Sequence, residues 1–220
     1  MEYEIWRYLH ICMFVFWLGT DMGVMLSTLK STDSKLSPDA RLNLLTMALT
    51  IELIPRVMWK LAFPLGLQLS AEIGLVDVSG TVLAVVWVLA LIWAGISVGG
   101  AANAGKPIGE RLGAINRIII PVVGVVTLLL GAYSYVAGAP FMASWLSLKV
   151  AMYGLINLTI FGIEAAFAPA VPAYLQMVQT GATPEINEKI KTTVNRTMIF
   201  VASTYILIAI VAFIGTAKVL

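Results

Sequence analysis

The side chains with the widest chemical reach in this sequence are its single histidine, His10, and a set of ionisable groups set in apolar surroundings: Asp21, Glu52, Arg56, Lys60, Arg117, Lys149, Glu164 and Arg196. A neutral imidazole in such surroundings can ligate haem iron or another metal, or relay protons; its plainer use is a hydrogen bond to a nearby backbone carbonyl. At 3.6 residues per turn, Met13, Phe14, Trp17 and Asp21 share the helix face of His10, with Gly19 and Gly23 forming a small-residue notch beside it. This predicts a face turned toward protein rather than lipid. A charge deep in hydrocarbon costs about 2.5–3.5 kcal/mol on insertion scales, so Asp21, Lys149 and Glu164 need partners or a purpose. Lys149 and Glu164 are about 22 Å apart along one helix, so each is expected to find its partner on another.

The arginines fall in a pattern. Ile54-Pro55-Arg56, Ile115-Asn116-Arg117 and Val194-Asn195-Arg196 share the order apolar, Pro or Asn, Arg at the starts of alternate helices, which suggests a hairpin unit used three times. On one reading the three arginines converge on an anionic group such as a propionate, a phospholipid head or a carboxylate substrate. On the other they snorkel at helix ends. Asp21 and Glu52 compete for the same cations, and with Lys60 and Glu164 they make up an intramembrane polar network.

Several chemistries are excluded or unsupported. The lone Cys12 rules out an intramolecular disulfide and any cysteine cluster for zinc or iron–sulfur. The ten methionines are scattered and read as core packing. No glycine-rich phosphate loop, nucleophile elbow or paired-histidine metal motif is present. With a net charge of +2 and no dense basic stretch, nucleic acid is not an expected partner.

The elements that must position these groups are membrane helices. Hydrophobic residues make up 60% of the 220, charged ones only 12%, and the mean hydropathy is +0.92, whereas soluble domains carry about a quarter charged residues. Runs at 5–29, 50–74, 79–102, 118–138, 141–168 and 195–217 reach the roughly 20 residues needed to cross a bilayer core. They predict an all-α polytopic membrane bundle of about six transmembrane helices, forming a single integral membrane domain over 1–220. The start, Met1-Glu2-Tyr3-Glu4, lacks a basic n-region, so the first run reads as a retained helix.

Lys and Arg concentrate in alternate loops: Lys30, Lys35 and Arg41 in the first, Lys106 and Arg111 in the third, Lys189 and Lys191 in the fifth. The second loop, around Asp77, and the fourth, around Gly138-Ala139-Pro140, have none. The positive-inside rule then places odd loops in the cytoplasm and both termini outside, with Trp6 and Trp145 in an outer aromatic belt. Ser37-Pro38-Asp39 and Thr183-Pro184-Glu185 each offer an N-cap, a proline at the first helical position and an early acid. The second and sixth helices are therefore expected to begin early, with amphipathic feet carrying Leu42, Leu45 and Leu49, and Ile186, Ile190 and Val194. Two polar layers result: His10 with Lys149 in the outer half, and the remaining charges in the inner half.

Three short motifs, Arg117-Ile118-Ile119-Ile120-Pro121, Leu129-Leu130-Gly131-Ala132-Tyr133 and Trp145-Leu146-Ser147-Leu148-Lys149-Val150, resemble the second and third helices of the HemJ-type protoporphyrinogen oxidases and the related CopD-like membrane proteins. Tyr8-Leu9-His10-Ile11 with Phe16-Trp17-Leu18-Gly19 is similar to their first helix. The resemblance covers about a third of the chain. It implies haem b held by His10 as the metal ligand and a functionally essential lysine at Lys149. It also implies an oxidoreductase of the bacterial-type cytoplasmic (inner) membrane, with a quinone or other redox partner. Ser147 stands where the family has a histidine near its lysine, so a haem here uses His10 with a methionine, a lysine, water or a second subunit.

Two other readings stay open beside this one. In the first, the chain is a six-helix transporter or channel with Asp21, Lys149 and Glu164 along its path. In the second, it is a structural or assembly subunit of a homo-oligomer or larger membrane complex, held by partner helices at Gly19/Gly23 and Gly95/Gly99. Lipid contact is common to all three.

Overall fold

A backbone crossing hydrocarbon must satisfy its own hydrogen bonds, and the apolar runs accordingly form continuous helices. The computed structural model describes residues 2–218, in which eight helices make up six candidate membrane crossings. The first crossing is α1 (Glu2–Ser31), and the second joins α2 (Pro38–Ile51) to α3 (Leu53–Glu72). The third and fourth are α4 (Gly80–Ala102) and α5 (Pro107–Ala137). The fifth joins α6 (Ser144–Phe167) to α7 (Ala170–Thr180), and the sixth is α8 (Pro184–Ala217).

The early helix starts follow from their caps. Ser37 accepts a hydrogen bond from the Ala40 N–H and Thr183 from the Ile186 N–H, with Pro38 and Pro184 opening α2 and α8. Proline also opens α5 at Pro107, about three turns before the apolar run begins. At 31 and 34 residues, α5 and α8 are longer than a ~30 Å core requires, and their first turns project among the basic loops. The second crossing is broken at Glu52 because Pro55 has no N–H to offer the Ile51 carbonyl.

One element departs from the sequence expectation. The fifth loop contains a helix, α7, set off from α6 at Ala168-Pro169. Ala170, Ala173, Tyr174 and Met177 lie on one face of α7 and are fully buried against Leu45 of α2 and Ile186 and Ile190 of α8. This i, i+3, i+4, i+7 spacing is the signal of an amphipathic helix, but an 11-residue segment is too short to stand out among membrane spans.

The spans close into a ring. In order around it, α1 packs on α3, α3 on α4, α4 on α5, α5 on α6 and α6 on α8, and a sparse α8–α1 seam completes the circle. The tightest joint is α5 on α6. A Cβ at Gly131 would come within 2.6 Å of the Ser147 carbonyl oxygen, one at Gly154 within 2.5 Å of that of Gly124, and one at Gly124 within 3.2 Å of that of Gly154. Small residues here let two backbones touch, as membrane helices require where no hydrophobic force drives them together. Gly19 and Gly95, by contrast, have open space where a Cβ would stand.

At the end of the bundle away from the basic loops, the second and fourth loops pair through an isolated bridge, Val76 with Phe141, and the Met142 N–H donates to the Leu75 carbonyl at 2.9 Å. Leu67, Val76, Phe141, Leu146 and Val150 form an apolar plug there. Ser134 accepts from the Phe141 N–H at 3.0 Å and pairs with Ser147 at 2.9 Å.

Gly131→Val and Gly154→Val are expected to destabilise the protein by about 1–3 kcal/mol each or more through overpacking. Gly19→Ala is expected to be neutral. Unfolding of the purified protein in mixed micelles by denaturing detergent, followed by tryptophan fluorescence, measures the difference.

Candidate functional site

The His10, Met13, Trp17, Asp21 stripe of α1 does turn inward: Met13 and Trp17 are buried, and His10 and Asp21 are half-buried. Below it, toward the basic end, the ring holds a half-open chamber of about 520 Å³. The chamber runs from the α4–α5 turn at Ala104 and Gly105 down to Trp17 and Trp59, and Asp21, Glu52, Arg56 and Glu164 line it.

Four helices build an ion network on one wall. The Arg56 guanidinium donates to both carboxylate oxygens of Glu52 one turn earlier, with N–O distances of 2.7–3.0 Å. It also reaches Glu164 on α6 at 4.0 Å and the Ser97 hydroxyl on α4 at 3.5 Å. Glu164 accepts from the Asn116 amide of α5 at 3.0 Å, and the Asn116 oxygen accepts from the Trp93 indole of α4 at 2.9 Å. Lys60 is almost fully buried on the same side of α3. Its ammonium donates to the Arg56 carbonyl at 2.9 Å and lies 3.6 Å from the Trp59 ring centroid and 5.0 Å from that of Trp93. Two cations and two carboxylates thus balance in charge within one half-buried wall, which offsets the desolvation each one suffers.

Facing that wall, Asp21 on α1 and Tyr205 on α8 stand next to each other at the sparse seam. Among the described residues Asp21 has no cationic partner, and the buried Tyr205 hydroxyl makes no hydrogen bond. The Trp59 indole N–H, on a side chain only 5% exposed, is also without an acceptor.

The predicted inner network is therefore brought together for Glu52, Lys60 and Glu164, with Asp21 opposite. The three arginines do not converge. Arg56 is inside, Arg117 is exposed at the chamber lining, and Arg196 is exposed and outside that lining. In the three-fold sequence pattern the buried position is Pro55 in the first copy and the matching Asn116 in the second, but Val194 and Thr197 in the third, so the last helix presents a different face. Asn116 was missed as a network member, although its place beside Arg117 in the pattern was the available signal.

The outer pair is arranged differently. His10 packs its Cε1 edge toward Gly66 of α3, and its Nδ1 is buried with no partner. Lys149 packs against Gly215 of α8, where it leaves no room for a Cβ, and lies 6.0 Å from the Trp145 ring centroid. Glu164 finds partners on other helices as expected; Lys149 makes no ion pair among the described residues. No group of three or more His, Cys, Asp or Glu capable of holding a metal occurs among the described residues.

A second buried polar knot lies at the basic end. Arg41 is fully buried: its Nε donates to the Ser31 carbonyl at 2.8 Å, its Nη1 to the Asn187 side chain at 2.6 Å, and its guanidinium faces the Tyr174 ring at 5.9 Å. Ser31 and Tyr174 share a further hydroxyl hydrogen bond. Counted by sequence as one loop charge among several, Arg41 in fact ties α1, α2, α7 and α8 together. Its place at i, i+4, i+7 with the buried Leu45 and Ala48 was the sign of this.

These features define a polytopic α-helical membrane protein whose helix ring holds a mainly apolar chamber with a few charged side chains on its wall. Compared with known proteins, the chain matches no family model, no curated protein and no solved structure.

Arg56→Ala is expected to cost about 1–3 kcal/mol by leaving two half-buried carboxylates without their cation, and Asn116→Ala about 1–3 kcal/mol by leaving the Trp93 indole unpaired. Arg117→Ala is expected to cost less than about 0.5 kcal/mol. The same detergent unfolding measurement ranks the three.

Proposed function

We propose that this protein is a transporter or channel whose solute site is the chamber. The observation that carries the reading is a cavity at membrane depth, lined by charges that are only partly paired, approached from the basic end and backed by an apolar plug at the other. Intramembrane ionisable groups that face a cavity mark solute or ion pathways, because hydrocarbon tolerates them nowhere else at low cost. By the positive-inside rule the open end faces the cytoplasm of a bacterial-type inner membrane.

Arg56 supplies an element with two arrangements. It holds Glu52 tightly and stands 4.0 Å from Glu164, so a small shift of α3 against α6 exchanges one carboxylate for the other. Asp21, on the opposite wall, is left to meet the solute. Reaching the far side requires the Trp59–Trp93 contact, with ring centroids 5.7 Å apart, and the paired second and fourth loops to part. Lys149 lies beyond this barrier and belongs to the far half of such a path.

A second reading, haem binding of the HemJ/CopD-like kind, is favoured by the unpartnered, buried Nδ1 of His10. His10 would hold the iron, and Lys149, within electrostatic reach of it, would face a propionate. Haem would supply one-electron chemistry toward a quinone or other redox partner. Arg56 does not serve this site, since it is about 15 Å along α3 from Gly66, which marks the level of His10. The chamber lining does not include His10.

On solid-supported membranes carrying proteoliposomes, concentration jumps from panels of organic cations, carboxylates and neutral solutes are expected to give saturable charge displacement for at least one panel. The signal should fall about tenfold or more in Glu164→Gln and persist in Lys189→Gln. Silence across all panels sinks the transport reading. For the haem reading, protein purified from haem-supplied cells is expected to show a Soret band that His10→Ala removes. Colourless protein that binds no added haem would exclude it.

A further inference from the structure

The chamber's own chemistry points to a ligand class. Its lining carries four carboxylates, Asp21, Glu52, Glu110 and Glu164, against two guanidiniums, Arg56 and Arg117. Arg56 is already committed to Glu52, so the excess charge presented to a guest is negative, although the chain as a whole is +2. Asp21 has no cationic partner among the described residues. Around it stand aromatic side chains that also line the chamber: Trp17 on its own helix, Trp59 on α3 and Tyr205 on α8. The Tyr205 oxygen and the Trp59 indole nitrogen are both buried without a hydrogen-bond partner in the structure.

We infer that the chamber selects organic cations, namely protonated amines of the size of a small arylalkylamine, held by the Asp21 carboxylate among the rings of Trp17, Trp59 and Tyr205. A carboxylate in a low-dielectric cavity gains most from a partner of opposite charge. Aromatic rings add attraction for an organic ammonium, which loses less hydration on entry than a bare metal ion does. A volume of about 520 Å³ is within the usual range for small-molecule sites. An inorganic cation would find no cluster of three or more acidic ligands among the described residues. An anion would face Asp21 unneutralised.

This inference rests on the chamber being the solute site, and binding can be tested apart from transport. Phenethylammonium, benzoate and potassium, each as a chloride or sodium salt at matched ionic strength, are titrated into the detergent-purified full chain. Tryptophan fluorescence reports occupancy, because Trp17 and Trp59 line the chamber. Saturable quenching by phenethylammonium alone is expected, weakened about tenfold or more in Asp21→Asn, largely retained in Asp21→Glu, and unchanged in Asp39→Asn on the α2 foot. Thermal unfolding of each variant shows that it is folded. Saturable binding of benzoate in preference to phenethylammonium, equal affinity in folded Asp21→Asn, or no saturable binding by any probe overturns the inference. Cation binding without charge displacement removes the transport reading and keeps this one; displacement by carboxylates alone does the reverse.

Discussion

Burying charge in a membrane is the constraint on which the rest of this structure depends. Arg56 can be inside only because Glu52 sits one turn before it and Glu164 comes from across the ring. Glu164 in turn is held by Asn116, and Asn116 by Trp93. The chain of contacts fixes the rotation of four helices at once: α3, α4, α5 and α6. The α2–α3 break follows the same logic, since Pro55 frees the backbone just where Glu52 must reach its partner. Around this wall, apolar packing needs only to be shape-compatible, because hydrocarbon supplies no strong preference among packings.

Much of the architecture was legible in the sequence, because the signals were large and local. Six apolar runs, two capped feet and an inward stripe through His10, Met13, Trp17 and Asp21 all follow from periodicity and helix-start chemistry. The inner polar layer was legible as a set of residues but not as a geometry. Residue spacing cannot give the rotation of one helix relative to another, so three similar Arg motifs look equivalent, while only Arg56 joins the ion network and Arg196 lies outside the chamber lining. Asn116 and Arg41 were overlooked for opposite reasons. The first is uncharged and attracts no attention as an ion-pair partner; the second is charged and counts, by sequence, simply as one of the first-loop charges.

The Arg41 knot gives the basic end a different character from the opposite one. There, a guanidinium with hydrogen-bonding oxygens from Ser31 and Asn187 locks the feet of α1, α2, α7 and α8. The other end is held by an apolar plug, a single bridge between two loops and a pair of serines. Directional bonds resist rotation, whereas apolar contacts can slide without losing all their energy. The chamber thus has a firmly framed mouth and a more deformable base.

The α5–α6 joint divides the molecule mechanically. Where Gly124, Gly131 and Gly154 bring backbone onto backbone, neither helix can be displaced along the other without atoms colliding, so the pair behaves as a fixed post. The α1–α8 seam has no such interlock. Asp21 lies on α1 at this sparse seam, whereas Glu164 belongs to α6 and so to the tightly packed joint. Any opening of the bundle changes the separation of these two acids, making the distance between them the natural coordinate along which to follow the protein at work.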